Sequence, residues 1–444
     1  MRLQTQGGDK VARQKSTPLR QEFNRLIPKK WLQTVAQETG AVKRHRKVDI
    51  YDFFWTLVLG FGGTKERTLA GLRRTFEKVT GIAIEESSFY DRFTLGLVKL
   101  MKTVLGEVLA EAGPLGRMPH GALSTFKDVL MTDSTVIRLH DLLKAKWPAC
   151  RTNHTQAALK AHVIMSVQGC GPSSVRVTSE RVHDGPVLRA GRWVKDRLLL
   201  FDLGYYQFRL FARIATCGGY FLTRLKENAN PVITAVHRGS GKALLGQKLQ
   251  DVLGHLKRNA LDVEVELTFH RKAYWPEKAR RDKIRCRLVG IKNAETGRYH
   301  LYVTNVPVET LAAEEVGQVY GARWLIELAF RELKSQYAME SMPSSKSHIV
   351  EALLYAAFLT MVVSRRWLRM LRLKMGALSE RCRTERWATI FRMVAADLLA
   401  ILLRPCQEAE GIARRLMPMI REEIVDPNAG RVHLLNRAGG LKAA

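Results

Sequence analysis

A run of four apolar residues, Leu198-Leu199-Leu200-Phe201, ends directly at Asp202. An apolar segment this short predicts a buried β-strand, because helices need about ten or more residues. Segments upstream also have the composition of strands, at residues 129–131, 136–139, 161–167 and 174–178. A short helical segment precedes the buried strand, and a helix at 207–215 and a strand at 220–224 follow it. The predicted fold class is therefore mixed α/β.

The order of these elements is three strands, helix, strand, helix and strand, which is the order of a ribonuclease-H-like core. Residues 227–309 interrupt this order. They contain segments at 263–269, 284–289 and 299–303 in which apolar and polar residues alternate. A period of two predicts an antiparallel sheet with one solvated face. We interpret the interruption as an antiparallel β subdomain inserted into the core.

Helical patterns flank this core on both sides. The predicted organisation is a flexible basic arm at 1–18, a helical DNA-binding region at 19–120, the first part of the core at 121–226, the inserted β subdomain at 227–309, the remainder of the core at 310–345 and a C-terminal helical region at 346–444. A helical dimerisation unit is an alternative interpretation of residues 19–120.

The charge of the chain is strongly positive, since 72 Lys and Arg against 42 Asp and Glu give a net charge of +30. Such a field favours a polyanionic partner through counterion release. Nucleic acid is the leading candidate, and a basic solubilising surface is the alternative.

The six cysteines include no Cys-x2-Cys pair. This absence argues against a zinc ribbon or a disulfide framework and fits a reducing cytoplasm. Residues 1–30 are polar and basic, unlike a signal peptide. The longest apolar stretch, residues 352–363, is shorter than the ~18 residues of a membrane span. It predicts a buried core helix, and the chain is expected to be cytoplasmic with no membrane partner.

Two carboxylates follow predicted strands, Asp133 after residues 129–131 and Asp202 after residues 198–201. A carboxylate at the end of a strand can be held rigidly, and its oxygens suit a hard cation such as Mg²⁺. Each is also an ordinary turn or capping residue. His183-Asp184 lies between them and has a competing interpretation as an extra metal ligand, against a local hydrogen-bonding pair.

A third carboxylate, Glu327, belongs to a predicted helix. At about 100° per residue, Tyr320, Arg323, Glu327 and Lys334 fall on one polar stripe. The opposite face is apolar and comprises Leu325, Ile326, Ala329 and Leu333. The alternative for Glu327 is a surface ion pair, because Arg323 and Arg331 both lie four residues away.

The polar stripe around Glu327 matches a known pattern. Tyr320, Arg323, Glu327 and Lys334 follow Tyr-x2-Arg-x3-Glu-x6-Lys, which resembles the signature of the IS-four-like insertion-sequence transposases, a branch of the DDE transposases. Residues 133–139 and 202–226 are similar to the segments that carry the first and second Asp of that family. The likeness covers about residues 125–340 and is weaker around 85–100. Leu203 departs from the charged or small residue that often follows the second Asp.

The resemblance implies a catalytic, metal-binding triad of Asp133, Asp202 and Glu327. If the three converge, they would hold two Mg²⁺ or Mn²⁺ ions for phosphoryl displacement on DNA. Cleavage and strand transfer at terminal inverted repeats, through a hairpin intermediate, and a homodimer holding two ends and target DNA are expected. A nucleoid-associated protein is expected on the same grounds. The alternatives are a ribonuclease-H-like nuclease and a catalytically silent DNA-binding derivative.

The expected DNA-binding residues extend beyond the triad. Arg323 and Lys334 would neutralise phosphates near the scissile bond, with Tyr320 beside them and Arg331 on the same helix. The predicted β insertion contains a loop that mixes basic and aromatic residues. By resemblance, Trp275 in this loop would hold a base flipped from the hairpin, with Tyr274 as its rival. A solvated hairpin anchored by one Trp is the alternative.

Overall fold

A computed structural model describes residues 18–44, 47–61, 67–110, 121–150, 155–169, 171–238, 242–271, 280–340 and 342–428. The predicted flexible arm, apart from Pro18, and the candidate Trp275 with its rival Tyr274 lie outside these described residues.

The centre of the described protein is one mixed β-sheet. Its strands are β1 (Asp128–Leu139), β2 (Ala157–Ser166), β3 (Gly171–Ser179), β4 (Arg197–Phe201), β5 (Tyr220–Arg224), β6 (Val232–Val236), β7 (Ala260–Arg271), β8 (Arg280–Lys292) and β9 (Tyr299–Thr304). They are arranged in the order β3-β2-β1-β4-β5-β9-β8-β7-β6. The pairs β1–β4 and β4–β5 are parallel, and the other neighbours are antiparallel.

Strand β4 is buried on both faces, as its composition predicts. Leu198 and Leu200 pack into the core on one side of the sheet, and Leu199 and Phe201 pack into a second core on the other side. Successive side chains of a strand point to opposite faces, so an all-apolar strand requires a cover on each. The central sheet therefore lies between two hydrophobic layers.

Helices flank the sheet. They are α1 (Pro18–Leu26), α2 (Lys29–Glu38), α3 (Ile50–Trp55), α4 (Leu69–Thr80), α5 (Glu86–Tyr90), α6 (Leu95–Ala110), α7 (Asp184–Val187), α8 (Phe208–Thr216), α9 (Leu249–Leu253), α10 (Ala313–Gly321), α11 (Trp324–Ser335), α12 (Ser347–Met375), α13 (Thr384–Leu403) and α14 (Cys406–Glu423). Helices α8 and α9 pack on the face of Phe201. Helices from both ends of the chain cover the face of Leu200.

The N-terminal and C-terminal helices share one hydrophobic core. Phe23 of α1 packs on Trp367 of α12 with ring centroids 5.0 Å apart. Helix α3 continues into a π-helical turn at Thr56–Gly60, where the hydroxyl of Thr360 on α12 donates a hydrogen bond to the carbonyl of Val58. The same hydroxyl lies 2.8 Å from the carbonyl of Ala356 on its own helix. Thr360 therefore joins α12 to the π-helical turn.

The core helix predicted around residues 352–363 is α12. By length and composition alone, the apolar segment Ser347–Arg381 could cross a membrane, but 83% of its apolar window is buried inside the protein. Its apolar residues are therefore explained by packing.

The alternating segments of residues 227–309 pair antiparallel, and β9 joins them to β5 in the same sheet. Leu261, Val263 and Val265 of β7 face the core. On the other face of the sheet, Asp262 is buried beside Arg287 of β8. The period of two predicts that this face is solvated. Part of it is covered instead, because α10 packs against β7 and β8.

Candidate functional site

Asp133 lies inside β1, where we expected it at the end of a strand. The parallel pairing of β1 with β4 ends at Thr132 opposite Phe201. The antiparallel pairing with β2 continues, with Asp133 opposite Val163. Asp133 is thus the first residue beyond the parallel ladder. The strand remains extended because β2 still supplies its hydrogen bonds.

Asp202 is the residue that follows β4, and it caps a short 3-10 turn at Leu203–Tyr205. Its Oδ1 accepts a hydrogen bond of 2.9 Å from the amide of Gly204. Thr132 and Phe201 are the last pair of the parallel ladder. Asp133 and Asp202 are therefore the next residue on each of two neighbouring strands, which are spaced about 4.8 Å apart. Alternation along both strands directs the two carboxylates to the same face of the sheet.

Glu327 lies in the first turn of α11, which packs against β1. The single helix expected over residues 320–334 is divided, because α10 ends at Gly321 and α11 begins at Trp324. Amides 322 and 323 bond to carbonyls three residues back, a tighter turn than an α-helix makes. The predicted apolar face is confirmed, since Leu325, Ile326, Ala329 and Leu333 are all buried.

Arg323, in the turn between α10 and α11, connects two of the carboxylates. Its Nη2 donates to Glu327 Oε1 at 2.5 Å, and its Nη1 lies 3.5 Å from Asp133 Oδ2. The Arg323 side chain is only 16% exposed, so the ion pairs are partly shielded from water. The surface ion pair that we considered for Glu327 is thus present with Arg323, and it extends to Asp133.

The environment of Asp133 disfavours its charged form. Burial raises the pKa of Asp133 to about 6. The Ser134 amide and Arg323 act in the opposite direction, while the negative charges of Asp202 and Glu327 raise the pKa further. Asp133 therefore lies within electrostatic range of both other candidates, in a cluster with excess negative charge.

The remaining predicted residues surround this cluster at different depths. Tyr320 is 8% exposed and packs on Tyr302 with ring centroids 5.3 Å apart. Arg323 lies 5.9 Å from the centre of the Tyr320 ring. Further along α11, Arg331 is exposed and Lys334 is half-buried.

Asp184 comes close to the cluster through Ser134, a partner that neither interpretation of His183-Asp184 predicts. Its Oδ1 accepts a 2.8 Å hydrogen bond from Ser134 Oγ, whereas the neighbouring His183 is exposed. Burial raises the pKa of Tyr205, and the charges of Asp184, Asp133 and Asp202 raise it further. The only signal in the sequence is the His183-Asp184 pair between the first two candidates.

The carboxylate cluster has the donor chemistry for a divalent cation. Carboxylate oxygens are the usual ligands of Mg²⁺. The pKa of Asp133 is raised mainly by burial and further by the negative charges of Asp202 and Glu327, and a bound cation would relieve that repulsion. However, within the described ranges no three His, Cys, Asp or Glu side chains are arranged as a metal-binding group. The guanidinium of Arg323 lies between Asp133 and Glu327 and supplies the positive charge there.

Comparison with known families identifies the class of protein. The model of the transposase DDE domain family matches residues 124–363, which include the sheet, Asp133, Asp202 and Glu327. The chain belongs to the DDE transposase family, whose members cleave DNA and transfer its strands. Membership implies DNA as a partner and dependence on a divalent metal ion. The family predicted from the sequence is confirmed, while the IS-four-like signature stays a prediction.

Curated relatives resemble most of the chain. It is 22% identical over 377 residues to the transposase for insertion sequence element IS231F of Bacillus thuringiensis subsp. israelensis. The aligned region covers 76% of this chain and 77% of the relative. It is 26% identical over 271 residues to the probable transposase for insertion sequence element IS5377 of Geobacillus stearothermophilus, covering 61% and 63% respectively. Among solved structures, the cryo-EM structure of a piggyBac transposase synaptic complex with hairpin DNA aligns with 90% of this chain and 83% of that chain. Its TM-score is 0.44 and its sequence identity 9%.

Proposed function

We propose that this insertion-sequence transposase binds the terminal inverted repeats of its element and uses Asp133, Asp202 and Glu327 for cleavage and strand transfer. The observation that carries the proposal is the ion-pair arrangement of Arg323 with Asp133 and Glu327. Through Arg323, Glu327 of α11 is connected to Asp133 of β1, and β1 pairs with β4, the strand that precedes Asp202. A carboxylate cluster beside a basic residue is suited to phosphoryl transfer on a polyanion.

The three carboxylates would hold two Mg²⁺ or Mn²⁺ ions. Bound ions of this kind activate an attacking oxygen and stabilise the leaving oxygen. The residues of the chain would do the rest. Arg323 would release its carboxylates and turn to a phosphate, and its buried Nε, which has no hydrogen-bond partner among the described residues, offers a further donor.

Basic and aromatic residues around the triad would position the DNA. Lys334 and Arg331 lie on the same helix as Glu327, and we assign phosphate contacts to both. Tyr320 would orient Arg323 and Arg224, whose guanidinium carbons lie 5.9 and 5.8 Å from its ring centre. We assign the flipped base to Trp275 on the strength of the resemblance alone.

The wider architecture supports a ribonuclease-H-like core. The first five strands have the order β3-β2-β1-β4-β5, with β1, β4 and β5 parallel. We assign residues 121–226 and 310–345 to this core and 227–309 to the insertion. We assign DNA binding to the helical region at 19–120, and the chain would further comprise a flexible basic arm at 1–18 and a C-terminal helical region at 346–444. The proposed working form is a homodimer on two ends, nucleoid-associated in the bacterial cytoplasm.

The reaction is tested with purified protein, Mg²⁺ and a labelled duplex spanning one end of the element that encodes the chain. Hairpin and joined products are expected. Nicks without hairpins or joined strands would instead favour a ribonuclease-H-like nuclease. A shifted but uncut duplex would favour a catalytically silent DNA-binding derivative. Either of these results overturns the proposed cut-and-paste reaction.

A further inference from the structure

Asp184 lies between the two segments that carry Asp133 and Asp202. Its Oδ1 accepts a hydrogen bond of 2.8 Å from Ser134 Oγ, and Ser134 directly follows Asp133. A Cβ added to Gly204 would lie 3.4 Å from Asp184 Oδ2 and 3.0 Å from Asp202 Oδ1. The two carboxylates therefore face the same glycine. The Asp184 side chain thus contacts Ser134, next to Asp133, and lies close to Gly204 in the turn that follows Asp202.

A group of polar residues on β2 and β3 holds Asp184 in place. Lys160 Nζ lies 3.4 Å and His162 Nδ1 3.3 Å from Asp184 Oδ1. His162 is 6% exposed, stands opposite Ser134 in the β1–β2 ladder, and has its Nε2 2.8 Å from Thr178 Oγ1. Lys160 and His162 both belong to strand β2, which pairs with β1 beside Ser134.

The charge state of Asp184 follows from these contacts. Burial by itself raises the pKa of Asp184, but the neighbouring His162, Ser134 and Lys160 lower it to about 2. Its Oδ1 accepts one hydrogen bond, from Ser134, and lies within ion-pair distance of two basic side chains. This arrangement favours a structural partner of Ser134 over the extra metal ligand considered from the sequence, because the positive charge beside Oδ1 already comes from the protein.

We propose that Asp184 is a positioning residue for strand cleavage, which fixes the Asp133 and Asp202 carboxylates relative to each other through Ser134 and the turn at Gly204. This inference rests on the proposed function. Partners that orient metal-binding side chains typically change activity or metal affinity by about 10–100-fold when they are removed. In this role Asp184 would act through Ser134 and the turn at Gly204, without binding the DNA or the metal itself.

The direct test removes single groups from this contact. Ser134→Ala deletes the hydroxyl, Ser134→Thr keeps it, and Asp184→Asn removes the charge. We expect Ser134→Ala and Asp184→Asn to slow nicking about 10–100-fold at saturating DNA, with DNA affinity and Tm close to those of the unmodified protein. Ser134→Thr should restore most of the rate. The double variant should be no slower than the slower single variant, because loss of the Ser134 hydroxyl already breaks the contact through which the Asp184 charge acts.

A second measurement does not depend on cleavage. Calorimetric titration of the protein with Mn²⁺ alone should show weaker binding for Ser134→Ala and for Asp184→Asn. The matched control is Glu180→Gln, which removes a carboxylate that also connects β1 to the segment after β3, through its 2.9 Å ion pair with Arg138. Glu180→Gln should keep both the Mn²⁺ affinity and the nicking rate.

Three results would overturn the inference. They are unchanged nicking and Mn²⁺ affinity in Ser134→Ala, additive losses in the double variant, and equal losses in Glu180→Gln. If Asp184→Asn fails to fold, Ser134→Ala decides, because it removes only a hydroxyl. Asp133→Ala separates this inference from the proposed function. Normal cleavage by Asp133→Ala refutes the triad, whereas an inactive Asp133→Ala with a fully active Ser134→Ala refutes the positioning role alone.

Discussion

Arg287 and Asp262 form a bidentate ion pair inside the protein, with contacts of 2.8 Å and 2.6 Å between their side chains. Arg287 Nη1 also donates a 2.7 Å hydrogen bond to the carbonyl of Leu311, just before α10 begins. The pair therefore connects strands β7 and β8 to the chain that leads into α10 and α11. Both side chains are almost fully buried, so neither charge can be solvated if its partner is lost.

Asp262→Ala should lower the free energy of unfolding by about 3–5 kcal/mol, because it leaves the Arg287 charge buried without its carboxylate partner. Urea denaturation measures the change. The control is Glu266→Ala, which breaks the exposed ion pair with Lys283 between the same two strands and should cost less than about 1 kcal/mol. Equal losses in the two variants would contradict the prediction.

Asp133→Ala, Asp202→Ala and Glu327→Ala should each abolish cleavage while leaving DNA binding largely intact. The physical reason is that each removes one oxygen ligand of the proposed ions but no phosphate contact. Cleavage is followed on labelled end duplex, and binding by a gel shift of the same duplex. Normal cleavage by any one variant would remove that residue from the triad.

Metal-free Asp133→Asn should be more stable than the unmodified protein at pH 8. The folded protein raises the pKa of Asp133 to about 6, above the ~4 of an unfolded Asp. The stability that the protonated Asp133 carboxyl contributes is therefore fully present below about pH 4, and it is lost as pH rises through about 6 and the buried carboxylate becomes charged. The gain in Tm should shrink towards pH 4. A constant difference in Tm across pH would argue against the shifted pKa.

Lys334→Ala should weaken binding to end duplex and make the salt dependence of binding shallower. Removing one interaction with a phosphate reduces the slope of log K against log salt by about 1. Fluorescence anisotropy at several salt concentrations measures both quantities. Lys374→Ala removes an exposed lysine from the end of α12 and is expected to leave the slope unchanged. An unchanged slope in Lys334→Ala would exclude a phosphate contact.

Thr360→Val should destabilise the protein by about 1–3 kcal/mol, because the isosteric change removes a buried hydroxyl that hydrogen-bonds to the carbonyls of Val58 and Ala356. Thermal unfolding measures the loss. Thr389→Val, which removes an exposed hydroxyl on α13, should have little effect. A comparable loss in both variants would indicate that helix propensity, and not the bond to the π-helical turn, accounts for the change.

The sequence predicts local structure here better than it predicts contacts between distant segments. The run Leu198 to Phe201 is apolar in every position, so its burial on both faces follows directly. The spacing of apolar residues likewise predicts the buried face of α11. It does not predict the break at residues 322–323, because a pattern of polarity does not distinguish a tight turn from a continued helix.

Other features depend on strand register, which the chain does not reveal locally. Asp133 lies inside β1 because β2 extends the pairing beyond β4, and no property of Asp133 itself indicates this. The contact of Asp184 with Ser134 depends on the same register. The period of two predicts the antiparallel strands of the insertion, but their pairing with β5 connects residues about 80 positions apart.

The shared core of α1 and α12 has a consequence for how the protein is made. Phe23 packs against Trp367, so the first helices cannot complete their hydrophobic contacts until nearly the whole polypeptide has left the ribosome. A product of premature termination would expose those apolar faces and be a substrate for proteases. Shortened products should therefore not accumulate as competitors for the ends of the element.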